Sequence, residues 1–474
     1  MRKQEFIKIN NWLWEAPKEK NRQMKVPARI YASSKILQET EKEALNQLIN
    51  ISSLPGIVSY ALAMPDIHSG YGPPIGGVGA TCAYQGVISP GFVGFDQNCG
   101  VRVLLSNLKV KEIEKDLEKL TKKIYEEVPA GVGKGKGKKL SILEINKILR
   151  KGAVWAVENG FGVEDDLLRC EEKGQLPSNP SDVSSKAKER GRNQVGTLGS
   201  GNHFCEIQRV DRLFDRETAQ RLGLFKDQAI LMIHTGSRGL GHQNCQDYLS
   251  LAKKSMKKYQ INLPDNQFAC FPSSSKEGES FYGALGAASN YAFNNRQMIT
   301  STIRKIWKDF FEDNLSLLYD ISHNTAKKEI HEIEGEEREL IVHRKGATKA
   351  LPPESFQLIE DYQSTGQPVI IPGSMGTSSY ILTGTREGKA SFYSTSHGAG
   401  RKLSRSAAQK KISGRELVRK LKKKGIIVRC NSVAGVAEEA PEAYKNIDEV
   451  VEVIHKSKLS KKVAKLKPLA VIKG

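Results

Sequence analysis

Two short apolar runs, each ending abruptly in a glycine-rich turn, constrain this chain more than any other feature. They are "AILMIHTGSRG" (229–239) and "PVIIPGSMG" (368–376). A buried strand that stops at such a turn is how an α/β sheet delivers polar side chains to its edge. Between them, "SFYGALGAASNYAFNNRQMITSTIRKIWKDFFEDN" (280–314) keeps a helical period over a long span. Upstream, "VPARIYASSKILQETEKEALNQLINISSLPGIV" (26–58) reads as an extended piece followed by one amphipathic helix, stopped at Pro55-Gly56. From there to residue 105, Gly and Pro surround β-branched runs such as "GVGATCAY" and "VRVLL", which predicts strands and turns. The stretches 131–139 ("GVGKGKGKK") and 173–194 predict mobile polar loops; the first lacks the glycine spacing and Lys-Ser/Thr pair of a Walker A loop. No solenoid repeat and no clear linker interrupt the pattern. The expectation is a mixed α/β fold, one large domain over residues 1–474.

Charge is the second constraint. Lys and Arg number 73 against 53 Asp and Glu, a formal excess of 20. Between Arg401 and Lys424 stand eleven Lys or Arg and one acid, Glu416, and "HKSKLSKKVAKLK" near the C-terminus has no acid at all. Such patches attract polyanions through counterion release, although a solvated helix face explains a charge run equally well. No aromatic RNA-reading motif accompanies them. The seven cysteines are scattered and odd in number, which predicts reduced thiols and a cytoplasmic protein. No run approaches the ~18 apolar residues of a membrane span, and the N-terminus shows no secretory h-region.

Six of the segments that carry the nine histidines pair His with Gly, Asn, Ser or Asp: around His68, His203, His234 with His242, His323, His343 and His397. No HExxH or CxxC pattern fixes a local metal site, so any ligands must converge from distant segments. In "FDQNCGVR", Asp96 and Cys99 are three apart, a spacing at which a tight turn can aim both at one ion or a pair. His203, His234 and His323 would complete the set. A metal-bound thiolate would explain a cysteine in this polar setting; an inert thiol beside a turn is the competing reading. Carboxylate, thiolate and imidazole suit zinc, with manganese or iron as alternatives.

The motifs "MPDIHSGYGPPIGGVGA", "PGFVGFDQNCGVR", "GTLGSGNHFCEIQ", "HTGSRGLGHQ", "SHN", "VHRKGAT", "PGSMGTSSY", "SHGAGRKLSR" and "LAVIKG" stand in this order from "KVPARIYAS" to the last residue. In content and order the chain resembles the RtcB-type RNA-splicing ligases. The resemblance implies that family's own α/β fold with a central metal and nucleotide cleft. It implies joining of an RNA 2′,3′-cyclic phosphate or 3′-phosphate end to a 5′-hydroxyl end, in tRNA splicing or RNA repair, with GTP and two Mn(II) ions. Cys99 would bridge the ions; His234 and His323 would complete one site, Asp96 and His203 the other. His397 would carry GMP as the nucleophile. Nucleotide contacts would come from Asn202, His203, Phe204, Cys205 and Glu206; from His323 and Asn324; from Pro372, Gly373, Ser374, Met375 and Ser379; and from His397, Gly398, Ala399, Gly400 and Lys473. An archease partner, cleaved RNA as substrate and a monomer complete the expectation. Phe92 and Ser200 stand where the family commonly has glycine, and Gln97 where an apolar residue is usual. Two other readings compete: a metal-dependent cyclic-phosphate phosphoesterase that does not use His397, and a non-catalytic RNA-binding protein. The presence of His397 and Lys473 favours the ligase.

Overall fold

The computed structural model describes residues 5–131, 133, 135 and 139–474. The basic loop expected at 131–139 falls mostly outside these. A fifteen-stranded mixed sheet forms the frame. From one edge its path runs Ile7–Asn10, Leu13–Ala16, Ala28–Tyr31, Ile57–His68, Ile75–Cys82, Glu336–Lys349 and Ser316–Ile333. It continues through Gly100–Lys109, Gln228–Thr235, Phe204–Leu213, Ser460–Lys473 and Ser379–Gly384 to Pro368–Ile371. No helix of the described residues is long and apolar enough to cross a membrane.

Register places the chemistry. His234 pairs with Val101 on one side and Phe204 on the other, and Phe204 in turn pairs with Lys473. Ser322 pairs with Gly100. Cys99, His203, His234 and His323 therefore lie on one level across four neighbouring strands. Ser396 pairs with Ala347, which brings His397, the next residue, to the same end.

The long apolar-periodic span forms one helix, Lys276–Phe311, capped by Ser275 accepting from the amide of Gly278. Ala284, Ala288 and Tyr291 pack into one apolar cluster and Ile299, Ile303 and Trp307 into another. Between them the polar run Asn294 to Gln297 is fully buried. A buried guanidinium requires partners, and Arg296 has four. It donates to both carboxylate oxygens of Asp320, and to the carbonyls of Asn98 and Thr235 at 3.0 Å each. Those carbonyls adjoin Cys99 and His234, and Asp320 lies three residues before His323 on the same strand. One side chain thus ties three segments of the site together.

Two expectations change. The helix before Pro55 is two helices, Ser34–Glu39 and Lys42–Ile51. Thr40 bonds its hydroxyl back to the carbonyl of Ile36, and Glu41 is extended, so the chain turns there. The stretch 173–194, expected as a loop, contains the helix Ser185–Gly191. Ser184 caps it, and Ala187 packs against the core.

Candidate metal and nucleotide centre

Cys99 is buried, and its Sγ lies 3.3 Å from Nε2 of both His203 and His234. His234 and His323 bring their Nε2 atoms to 3.2 Å, and Asp96 Oδ2 is 2.7 Å from His203 Nε2. Two groups result, Cys99–His234–His323 and Asp96–Cys99–His203, each with its ligand atoms within 4.8 Å of one another. The thiol belongs to both. All five side chains expected to hold metal are together.

Electrostatics explain why this arrangement suits cations. Burial pushes His234 and His323 well below the usual imidazole range, and the neighbouring histidines push them further. Neutral rings facing each other through Nε2 leave lone pairs that a cation can take. Burial, then Asp96, pushes the Cys99 thiol well above its usual value, so a bound ion would displace a proton there. Burial also raises Asp96, but His203 overcomes it and holds the carboxyl below its ordinary range. Among the described residues, the buried Nδ1 atoms of His203, His234 and His323 have no hydrogen-bond partner. Their rings are fixed by packing instead, with His234 edge-on to His203, His323 and Phe204. Space is tight enough to demand glycine: a Cβ on Gly199 would stand 1.9 Å from His203 Nδ1.

His397 is oriented by a residue that sequence reasoning passed over. Asp66, fully buried at the end of Ile57–His68, places Oδ2 2.7 Å from His397 Nδ1. The same oxygen accepts from the amides of His397 and Gly398. Burial raises the Asp66 carboxyl, but the bond to His397 prevails and holds it low. An anion accepting at Nδ1 keeps the proton there and leaves Nε2 free. Gly400 permits this approach: its φ is +74°, and a Cβ would lie 2.1 Å from the carbonyl oxygen of Asp66.

Two clefts meet at His397. The first, about 140 Å³, includes Asn202, Phe204, Glu206, Pro372 to Met375, Gly398 to Arg401 and Lys473 in its walls. The second, about 510 Å³, takes in Asp96, His203, His323 and Asn324 with Arg190, Arg238 and Arg405. Ile75, Asn202, His397 and Arg405 line both. Burial raises Glu206 to about 7. Lys473 donates to the carbonyl of Gly201 at 2.7 Å and is no frayed terminus, since its strand pairs with Phe204–Leu213.

Some expected contacts lie elsewhere. Strand alternation turns Cys205 away from the cleft into an apolar cluster with Leu198 and Ile207, so only its main chain is near the cleft. Ser379 is buried behind the wall, accepting from the Gly373 amide. Asn324 holds the metal group's frame by donating to the carbonyl of Asp96. His343 is structural, accepting from the Ser89 amide and stacking on Phe92 at 5.1 Å. Arg344 pairs with Glu329 through two nitrogens. Gln97 is buried and accepts from Asn244, whereas Ser200 lines the second cleft. Asp66 was legible only as a neighbour of His68 in "MPDIHSGYG", and the histidine drew the attention. Burial pushes His68 down to about 3, and its Nδ1 donates to the carbonyl of Asp66 at 2.9 Å.

A family model described as "tRNA-splicing ligase RtcB" matches residues 47–474. The chain belongs to this family. It is 49% identical to the tRNA-splicing ligase RtcB of Archaeoglobus fulgidus over 98% of both chains. It is 50% identical to that of Nanoarchaeum equitans, covering 98% of this chain and 99% of the relative. An RNA-splicing ligase RtcB from Mycobacterium tuberculosis is 47% identical over 90% of this chain and its own full length. Each block read from the sequence contributes a residue to the clefts or the candidate metal groups, and Arg190, Gln194, Glu439 and Tyr444 join the walls from outside the blocks.

Proposed function

We propose that this protein is a GTP- and Mn(II)-dependent RNA ligase that joins 3′-phosphate or 2′,3′-cyclic phosphate ends to 5′-hydroxyl ends. The observation that carries the reading is the Asp66–His397 pair, set beside two cation-binding groups and between two clefts. Two Mn(II) ions held by Cys99, His234 and His323 and by Asp96, Cys99 and His203 would supply charge neutralisation and Lewis acidity for the phosphates.

His397 Nε2 attacks the α-phosphorus of GTP, a P–N bond forms, and the bond to the β-phosphate oxygen breaks to release pyrophosphate. Asp66 keeps Nδ1 protonated and offsets the positive charge that the ring acquires. The guanylate then passes to the RNA 3′-phosphate oxygen, regenerating neutral His397. Attack of the 5′-hydroxyl on the 3′-phosphorus expels GMP and seals the strand; a cyclic phosphate is first opened at the same site. In the first cleft Glu206 accepts from the guanine edge and Lys473 donates to its carbonyl, which favours GTP over ATP. Arg190, Arg238 and Arg405 place charge-assisted donors along the second cleft, where RNA phosphate would lie. Seven thiols without a disulfide among the described residues support a reducing, cytoplasmic setting.

The reading is tested by offering paired RNA ends in two polarities. Joining of 3′-phosphate to 5′-hydroxyl RNA with GTP and Mn(II) is expected, and none of 3′-hydroxyl to 5′-phosphate RNA. The reverse selectivity, or equal joining with ATP, would refute it.

A further inference from the structure

The sequence carries two basic runs, and the structure treats them differently. In the C-terminal run the lysines are neutralised: Lys461 pairs with Asp215, Lys462 with Glu452, Lys465 with Asp448 and Lys467 with Asp211, all within 3.1 Å. In the lobe that follows His397, ion pairs end at Lys402 and Arg405. From Lys410 to Lys424 every Lys and Arg is exposed, and none has an ion pair among the described residues. Such a face is held in place only because its other side is apolar. On the helix Gly414–Lys423, Leu417 and Leu421 are buried with Met375, Ile426, Val436 and Val471. Arg415, Arg419 and Lys422 follow at i, i+4 and i+7, with Lys423 beside them, on the opposite side of the helix. The lone acid, Glu416, sits in the first turn.

Position gives this face a direction. Met375, which the helix packs on, lines the first cleft, and Arg405 on the preceding helix Arg405–Lys411 lines both clefts. We propose that residues 405–424 form a docking surface for the RNA phosphate backbone away from the reacting ends, leading the strand towards His397. The proposal rests on the ligase reading above. A membrane surface fits poorly, because a helix that lies on lipid inserts its apolar face, and here that face is buried.

The test measures binding of a labelled RNA oligonucleotide with hydroxyls at both ends, so that no terminal phosphate engages the clefts. Fluorescence anisotropy over a salt series compares the wild type with R415Q/R419Q/K422Q/K423Q and with K461Q/K462Q/K465Q/K467Q. Each lost phosphate contact lowers the slope of log K against log salt by about 0.7 for single strands. The first variant is expected to lose up to about 3 in slope and at least about tenfold in affinity at low salt, whereas the second changes little. Circular dichroism verifies that both variants are folded. Transfer of label from GTP to the protein, unchanged in both variants, reports the ligase reading separately; its failure in the wild type would refute that reading and leave the binding result standing. An unchanged slope in the first variant, or an equal loss in both, overturns the docking surface. So does binding to phosphatidylserine vesicles that the first variant loses while its RNA binding is intact.

Discussion

Replacing Asp66 with Asn changes one charge and almost no volume, and its effect can be worked out from the bond it removes. The Asp66 carboxylate accepts from His397 Nδ1 at 2.7 Å and from two backbone amides, with no exposure to solvent. A hydrogen bond to a charged group contributes about 1.5–3 kcal/mol. Most of that is lost when the acceptor becomes a neutral amide, and the contribution is largest when the imidazole becomes cationic in the attack. At about 1.4 kcal/mol per tenfold, histidine guanylation should slow by roughly 10–150-fold. Binding of GTP should change little, because Asp66 does not line the first cleft. The assay follows label transfer from α-labelled GTP to protein under single-turnover conditions. Because burial is outweighed by His397, the folded Asp66 carboxyl lies below its ordinary range. Its contribution to stability is therefore complete above the ordinary value of about 3.9 and fades only as pH falls through the depressed folded value. The deficit of the variant should accordingly be constant from neutral to mildly alkaline pH. Guanylation at the wild-type rate across this pH range would refute the orienting role.

Gly199→Ala places a methyl 1.9 Å from His203 Nδ1; elemental analysis should find the ion of Asp96, Cys99 and His203 lost and the other retained. Glu206 is raised by burial to about 7, so the acceptance from guanine proposed above is full only at higher pH. Preference for GTP over ATP should rise as pH increases through 7 and be pH-independent in Glu206→Gln, read by competition binding. Among the described residues, Arg296→Met leaves the Asp320 carboxylate with only Arg102, and it removes the donor to the carbonyls of Asn98 and Thr235. Removing one member of such a buried cluster costs about 3–5 kcal/mol, and thermal unfolding should show it together with weakened metal binding.

The sheet was legible where strands end in glycine turns, because "AILMIHTGSRG" advertises both its burial and its stop. So was the long helix, from its period. The break at Thr40 was not, since it depends on a hydroxyl bonding back to Ile36 within an otherwise continuous apolar pattern. The helix Ser185–Gly191 is short and polar, and only its docking onto the core fixes it. Cys99 and its four partners stand out by residue type once set in order, but their convergence is a property of register. Asp66 and Arg296 illustrate the remaining gap. Asp66 reaches a ring 331 residues away and Arg296 a carbonyl 198 residues away, and a single carboxylate or guanidinium carries no local mark of its distant partner. Charge runs show the same limit: only tertiary placement distinguishes the neutralised C-terminal lysines from those at 410–424, which have no ion pair among the described residues.

The nucleophile proposed above is Nε2 of His397. Intact-mass and tandem mass spectrometry of the protein after incubation with GTP and Mn(II) test it directly. One added GMP is expected, acid-labile and base-stable, located on His397 and absent from His397→Ala. An adduct on another residue, or an undiminished adduct in His397→Ala, would contradict it.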